Sequence, residues 1–98
     1  MKIELEINEN DLILDWEDNA SLKVTQPSRV LIEIEANKEG LISLGKHLIR
    51  LAYMESSTMD IHYFTEINTD KGYFYGDLDE GSFELSIAKI EKAGRKIK

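Results

Sequence analysis

The 98-residue sequence has no cysteine. A disulfide framework and a thiolate metal site are therefore both excluded, and the composition fits a reducing compartment. Long apolar runs are also missing. No stretch approaches the roughly 20 apolar residues that span a bilayer. The opening "MKIELEINEN" alternates apolar and acidic residues, unlike the continuous apolar segment of a signal peptide. A cytoplasmic protein without a membrane partner is expected. Proline occurs once, at Pro27, where it should end a strand.

Basic residues are scarce. Twelve Lys and Arg face nineteen Asp and Glu, for a net charge of −7. The imbalance is uneven: residues 1–20 carry −6, 21–59 carry +1, 60–84 carry −6 and 85–98 carry +4. Phosphate binding needs clustered cations, so this distribution argues against a nucleic-acid partner. The basic end, "KIEKAGRKIK", reads as a solvated terminus, with residues 91–98 frayed. A chain of this length forms one domain, residues 1–98, and buries roughly two thirds of its surface on folding.

What is present is an alternation typical of strands, interrupted once. "KIELEI" places Ile3, Leu5 and Ile7 on one side and Glu4 and Glu6 on the other, as in a half-buried strand. "LILDW" can form its hairpin partner. Leu22 and Val24 suggest a short edge strand. "RVLIEIEA" is the clearest strand, with Val30, Ile32, Ile34 and Ala36 opposite Leu31, Glu33 and Glu35. After the helix, "MDIHYFTEI" sets Met59, Ile61 and Tyr63 against Asp60, His62 and Phe64. "NTDKG" is a hairpin loop with Gly72 suited to positive φ. "YFYGDL" returns, and "FELSIAKI" is the last strand, with Phe83, Leu85 and Ile87 on one face.

The interruption is "EANKEGLISLGKHLIRLAY". Asn37 is a good N-cap, and Glu39 lies in the first turn, where the helix dipole favours an acid. At helical spacing, Leu41, Leu44, Gly45, Leu48, Leu51 and Ala52 form an apolar stripe, and Ser43, Lys46, His47 and Arg50 lie opposite or on its flank. The stripe should face the sheet, with Gly45 allowing close approach. The expected fold is α+β: a two-layer domain with a mostly antiparallel sheet of about five to six strands and one amphipathic helix on one face, in the order β-β-(β)-α-β-β-β.

No catalytic constellation emerges. The nearest local pair is Asp60 and His62, too few ligands for a metal site. The serines of "ESST" and "EGS" sit in turns, "DLDEG" lacks a calcium loop's ligand pattern, and "GKH" lacks the phosphate-loop glycines. No enzyme activity, metal or cofactor is expected. What remains is the sheet face away from the helix: Glu33, Glu35, Asp60, His62, Phe64 and Leu31 form the candidate partner-binding set, with Phe64 or Leu31 as buried anchors.

"IEIEANKEGLISLGKHLIRLAY", "DIHYF" and "LDEGSFELSIAKI" together resemble the immunity protein 32 family of bacterial polymorphic-toxin loci. The similarity runs from about Arg29 to Ile90, roughly two thirds of the chain. Its most specific parts are Asn37, Glu39, Gly40 and Leu41 before the leucine-rich helix, His62, and Glu80, Gly81 and Ser82 before the last strand. The resemblance implies a non-catalytic inhibitor that binds a cognate protein toxin. Acidic immunity proteins often face nucleases with basic active sites, which agrees with the charge. The residues alone leave two other readings: a small-ligand or regulatory domain on the same scaffold, and an enzyme completed by dimerisation.

Overall fold

A computed structural model of the chain describes residues 2–55, 59–64, 67–68, 73–74, 78–90 and 94. The element order is β1 (Leu22–Ser28), β2 (Leu31–Ala36), α1 (Lys38–Ala52), β3 (Met59–Tyr63), β4 (Ile67–Asn68), β5 (Tyr73–Phe74) and β6 (Leu85–Lys89). β1 pairs with β2 and β3 with β6, both antiparallel, making two small sheets. β4 and β5 add a two-residue antiparallel ladder where a hairpin was expected. The loop between them, with Gly72, lies outside the described residues. So does the tail of residues 91–98, apart from residue 94.

The class is α+β, but the single sheet of five to six strands is not what forms. Two physical reasons account for this. The outer edge of β1 is occupied by a turn instead of a strand. Asp79 N–H donates to Leu22 C=O (2.9 Å) and Phe83 N–H to Val24 C=O (2.9 Å), while Ser82 Oγ accepts from Val24 N–H (2.8 Å). Moreover, residues 2–20 form no strand. Several of their main-chain groups bond to helix side chains instead, so the alternation in "KIELEI" yields an unpaired segment. Ile3 is 61% exposed.

β1 is longer than expected. It passes through Pro27, and the register shifts between Thr25 and Ser28. Proline has no N–H for a ladder, and a bulge is where a strand tolerates it. Arg29 and Val30 make the turn into β2.

Asn37 caps the helix and also ties it to β1. Its Oδ1 accepts from Gly40 N–H (2.8 Å) and Ser21 N–H (3.0 Å), and its Nδ2 donates to Asn19 C=O (2.8 Å). Gly40 lies so close to Ser21 that a Cβ would sit 2.1 Å from the Ser21 carbonyl oxygen. The helix glycine that permits close approach is therefore Gly40. Around Gly45 a Cβ would meet nothing within 4 Å.

This rotates the helix away from the expected phase. The buried positions are Gly40, Ser43, Leu44, His47, Arg50 and Leu51. Leu44 and Leu51 point inward as expected, but Leu41, Leu48 and Ala52 are exposed. The polar side turns inward because residues 2–17 supply its partners. Arg50 Nε donates to Glu6 C=O (3.1 Å), and its Nη1 donates to Ile13 C=O (3.1 Å) and to the Asp15 carboxylate. Ser43 Oγ accepts from Glu17 N–H (2.8 Å), and Lys46 pairs with Glu17 (2.7 Å). The core joins Leu22, Leu44, Leu51, Ile61, Tyr63 and Leu78, with Leu12 and Trp16 packed against it.

Two outcomes follow from this arrangement. Gly45→Ala should stabilise the fold by up to about 1 kcal/mol, because helix propensity rises and no contact is strained. A thermal melt should show the midpoint rising by roughly 4–8 °C per kcal/mol; a lower midpoint would put Gly45 back in a packed interface. The second outcome concerns acid. The hydrogen bond from Arg50, aided by its charge, holds the Asp15 carboxyl below the ordinary carboxylate value of 3.8. A lowered folded-state pKa gives stability that is fully present above the unfolded value and is lost as pH falls through the folded one. Stability owed to Asp15 should therefore disappear on acidification below the usual carboxylate range. Asp15→Asn should melt lower than wild type at pH 6, and the difference should shrink towards pH 2. A constant difference would mean that the ion pair is not what is lost.

Candidate functional site

Five of the six candidate residues fall on two sheets, and Phe64 directly follows β3. In β3, Ile61 and Tyr63 are buried while Asp60 and His62 are exposed. Tyr63 reaches the helix through His47, so His62 lies on the face away from it, as expected. Across the ladder, Asp60 opposes Ala88 and His62 opposes Ser86. The His62 ring stacks on Phe64 with centroids 4.3 Å apart and planes 9° from parallel, and its Nε2 lies 3.2 Å from Glu84 Oε1. This packing gives Phe64 a defined position beside an acid–imidazole pair at the surface.

Leu31, Glu33 and Glu35 lie on β2, in the other sheet. Directly opposite Glu35 is Lys23, and opposite Glu33 is Thr25. Neither glutamate forms an ion pair among the described residues. The structure thus splits the expected face into an acidic apolar strand and a His–Phe–acid patch, with no ladder joining β2 to β3.

His47 was expected on the helix flank and is instead fully buried. Its Nε2 lies 2.7 Å from Asp15 C=O and must carry the proton there. In the neutral ring, Nδ1 then accepts from the Tyr63 hydroxyl at 2.9 Å. Trp16 meets both rings edge-on, 4.9 Å from His47 and 5.7 Å from Tyr63. Both imidazole nitrogens are engaged and no solvent reaches them, so this cluster orders the chain. Among the described residues, no three His, Cys, Asp or Glu side chains are grouped to hold a metal ion.

The rotated helix phase opens a further surface that the expected stripe would have buried. Ile3, Leu5, Leu41, Ile42, Gly45, Lys46 and Ile49 line an apolar groove of about 380 Å³ between the helix and the N-terminal segment. Its charged member, Lys46, is already paired with Glu17. Exposed apolar residues clustered on one helix face are the signal that would have found it.

The family model described as Immunity protein 32 matches residues 32–90. No match was found among curated proteins or among solved structures. The matched span includes β2 from its second residue, the helix, β3 and β6, and five of the six candidate residues, Leu31 being the one outside. Two motifs of the resemblance acquire structural roles. Asn37 and Gly40 join the helix to β1, and Ser82 seals the outer edge of β1. No helix among the described residues is long and apolar enough to cross a membrane.

Proposed function

Because this chain belongs to the Immunity protein 32 family, we propose that it binds a cognate bacterial protein toxin and neutralises it by occlusion, without catalysis of its own. The match over residues 32–90 carries the reading. It is supported by surface chemistry: acidic side chains interleaved with exposed apolar ones, including Leu31 at 48% and Phe64 at 39% exposure. A net charge of −7 suits a basic toxin such as a nuclease. In this reading Glu33, Glu35, Asp60 and His62 guide and rim the contact, and Leu31 and Phe64 anchor it. The protein acts in the cytoplasm of the producing cell, as a monomer or homodimer, and takes no nucleic acid. A small-ligand reading ranks second, because the apolar groove has the volume for a ligand but lacks converging polar groups.

The direct test is co-expression with the toxin domain encoded beside it, scored for growth. Rescue by the wild type supports the proposal; unrelieved toxicity with well-expressed protein refutes it. Kinetics then divide the residues. Rim charges chiefly set encounter rate, and buried anchors chiefly set residence time. Glu33→Lys with Glu35→Lys should slow association, most strongly below about 0.15 M salt, where the screening length exceeds roughly 8 Å. Phe64→Ala should speed dissociation. Surface plasmon resonance reads both rates, and a salt-insensitive association rate would remove the steering role.

A further inference from the structure

The two edges of the first sheet are unlike. On the β1 side, Leu22 C=O and both main-chain groups of Val24 are bonded to residues 79–83. Opposed residues of an antiparallel pair either bond each other or both point away. Ala36 opposes Leu22 and Ile34 opposes Val24, so Ile34 and Ala36 aim their N–H and C=O groups at the outer edge of β2. Consistently, the next residue, Asn37, donates inward to Ser21 C=O (3.2 Å). Alternation along β2 gives Ile32 the outward direction as well. Among the described residues, no segment pairs with this edge. Both faces of the strand are open too, with Ile32 at 59% and Ile34 at 40% exposure beside exposed Glu33 and Glu35.

An open strand edge is a template for another strand. The side chains say which kind. If a second copy paired antiparallel about a two-fold axis, every register overlapping more than three residues of β2 would set Glu33 or Glu35 opposite another glutamate. Like charges directly opposed are destabilising, so β2 is built against itself. A strand with Lys or Arg opposite the two glutamates, and apolar residues opposite Ile32 and Ile34, would satisfy both faces. We propose that the outer edge of β2 holds the protein partner by β-augmentation, pairing through Ile32 and Ile34 with an extended segment in which basic and apolar residues alternate. This rests on the immunity reading and specifies its contact.

The test uses the full chain and three synthetic peptides: acetylated alternating Lys-Val, the same with Glu for Lys, and the Lys-Val peptide N-methylated at its valines, the residues that would face Ile32 and Ile34. The methylated peptide keeps its charge but cannot complete a ladder on the methylated edge. In ¹⁵N-labelled protein, the first peptide should shift the amides of residues 31–36 and protect Ile32 and Ile34 N–H from exchange. The other two should bind at least roughly tenfold more weakly. Ile34→Pro, which removes an outward N–H and leaves the β1 ladder intact, should abolish the protection; Ile34→Val should retain it. Equal binding by methylated and unmethylated Lys-Val would overturn the proposal in favour of charge attraction alone. Amide shifts centred on the helix groove would overturn it too, as would a β2-linked dimer in light scattering. Growth rescue separates the two levels. Rescue by wild type and equally by a folded Ile34→Pro chain sinks the edge proposal while immunity stands. If the wild type itself fails to rescue, the immunity reading falls, and the peptides still decide what the edge binds.

Discussion

Gly40→Ala is expected to destabilise the fold by about 3 kcal/mol, at the upper end of ordinary overpacking. The methyl group would be placed 2.1 Å from the Ser21 carbonyl oxygen, a main-chain atom that cannot rotate aside. Relief requires the helix start to lift from β1. That motion strains Asn37, whose side chain holds Gly40, Ser21 and Asn19 together. The loss would be a large share of the about 5–15 kcal/mol typical of small domains. Urea unfolding should show a lower midpoint with little change in slope. An unchanged midpoint would mean that the helix and β1 are not in contact at this point. Paired with Gly45→Ala, the same substitution five residues apart should act with opposite signs.

The second large effect is His47→Ala, expected to cost about 4 kcal/mol. One part is the cavity left beneath Trp16 and Tyr63. Another part is the loss of partners for the Tyr63 hydroxyl and the Asp15 carbonyl, each costing roughly 1–3 kcal/mol if left buried and unmet. Tyr63→Phe removes one of these bonds without a cavity and should cost about 1–2 kcal/mol. In the double variant the hydroxyl has no partner to lose, so the two costs should sum to more than the measured total. Strict additivity would show that the 2.9 Å contact contributes nothing. Hydrogen exchange should also show residues 2–17 released in His47→Ala before the sheets open.

The same histidine explains how far sequence reasoning reached. Local devices were readable: the Asn37 cap, the helix of Lys38–Ala52, and the alternation of Met59–Tyr63 depend on neighbours a few residues away. The α+β class followed from them. The direction of the helix did not, because it is decided by partners far along the chain. Arg50 is matched by Glu6, Ile13 and Asp15, and His47 by Asp15 and Tyr63. A helical wheel ranks Ser43, His47 and Arg50 as a wet face, since it cannot see hydrogen-bond partners 16 to 44 residues away. With the phase wrong, Gly45 took the role that belongs to Gly40. The N-terminal alternation failed differently. Period two shows an extended chain, but not whether a ladder receives it. Asp60 and His62 lie on the exposed side of β3 as its alternation implies, and the division of the candidate set between two sheets could be seen only once the pairing of β1 with β2 and β3 with β6 was known.

Apart from the ion pairs of Asp15 with Arg50 and Glu17 with Lys46, the bonds from the helix side chains to residues 2–17 end on main-chain atoms: the carbonyls of Glu6, Ile13 and Asp15, and the N–H of Glu17. Away from Leu12, Asp15, Trp16 and Glu17, such a fastening recognises the path of the chain and not the identity of its side chains. Ile3, Glu4, Ile7, Asn8 and Asn10 can be exchanged without touching any of these bonds. The segment is thus a held but rewritable strip lying beside the helix groove. The family match begins at residue 32 and leaves this strip outside. A library randomised at these positions should stay folded while its surface changes, so new specificities could be selected there without rebuilding the scaffold.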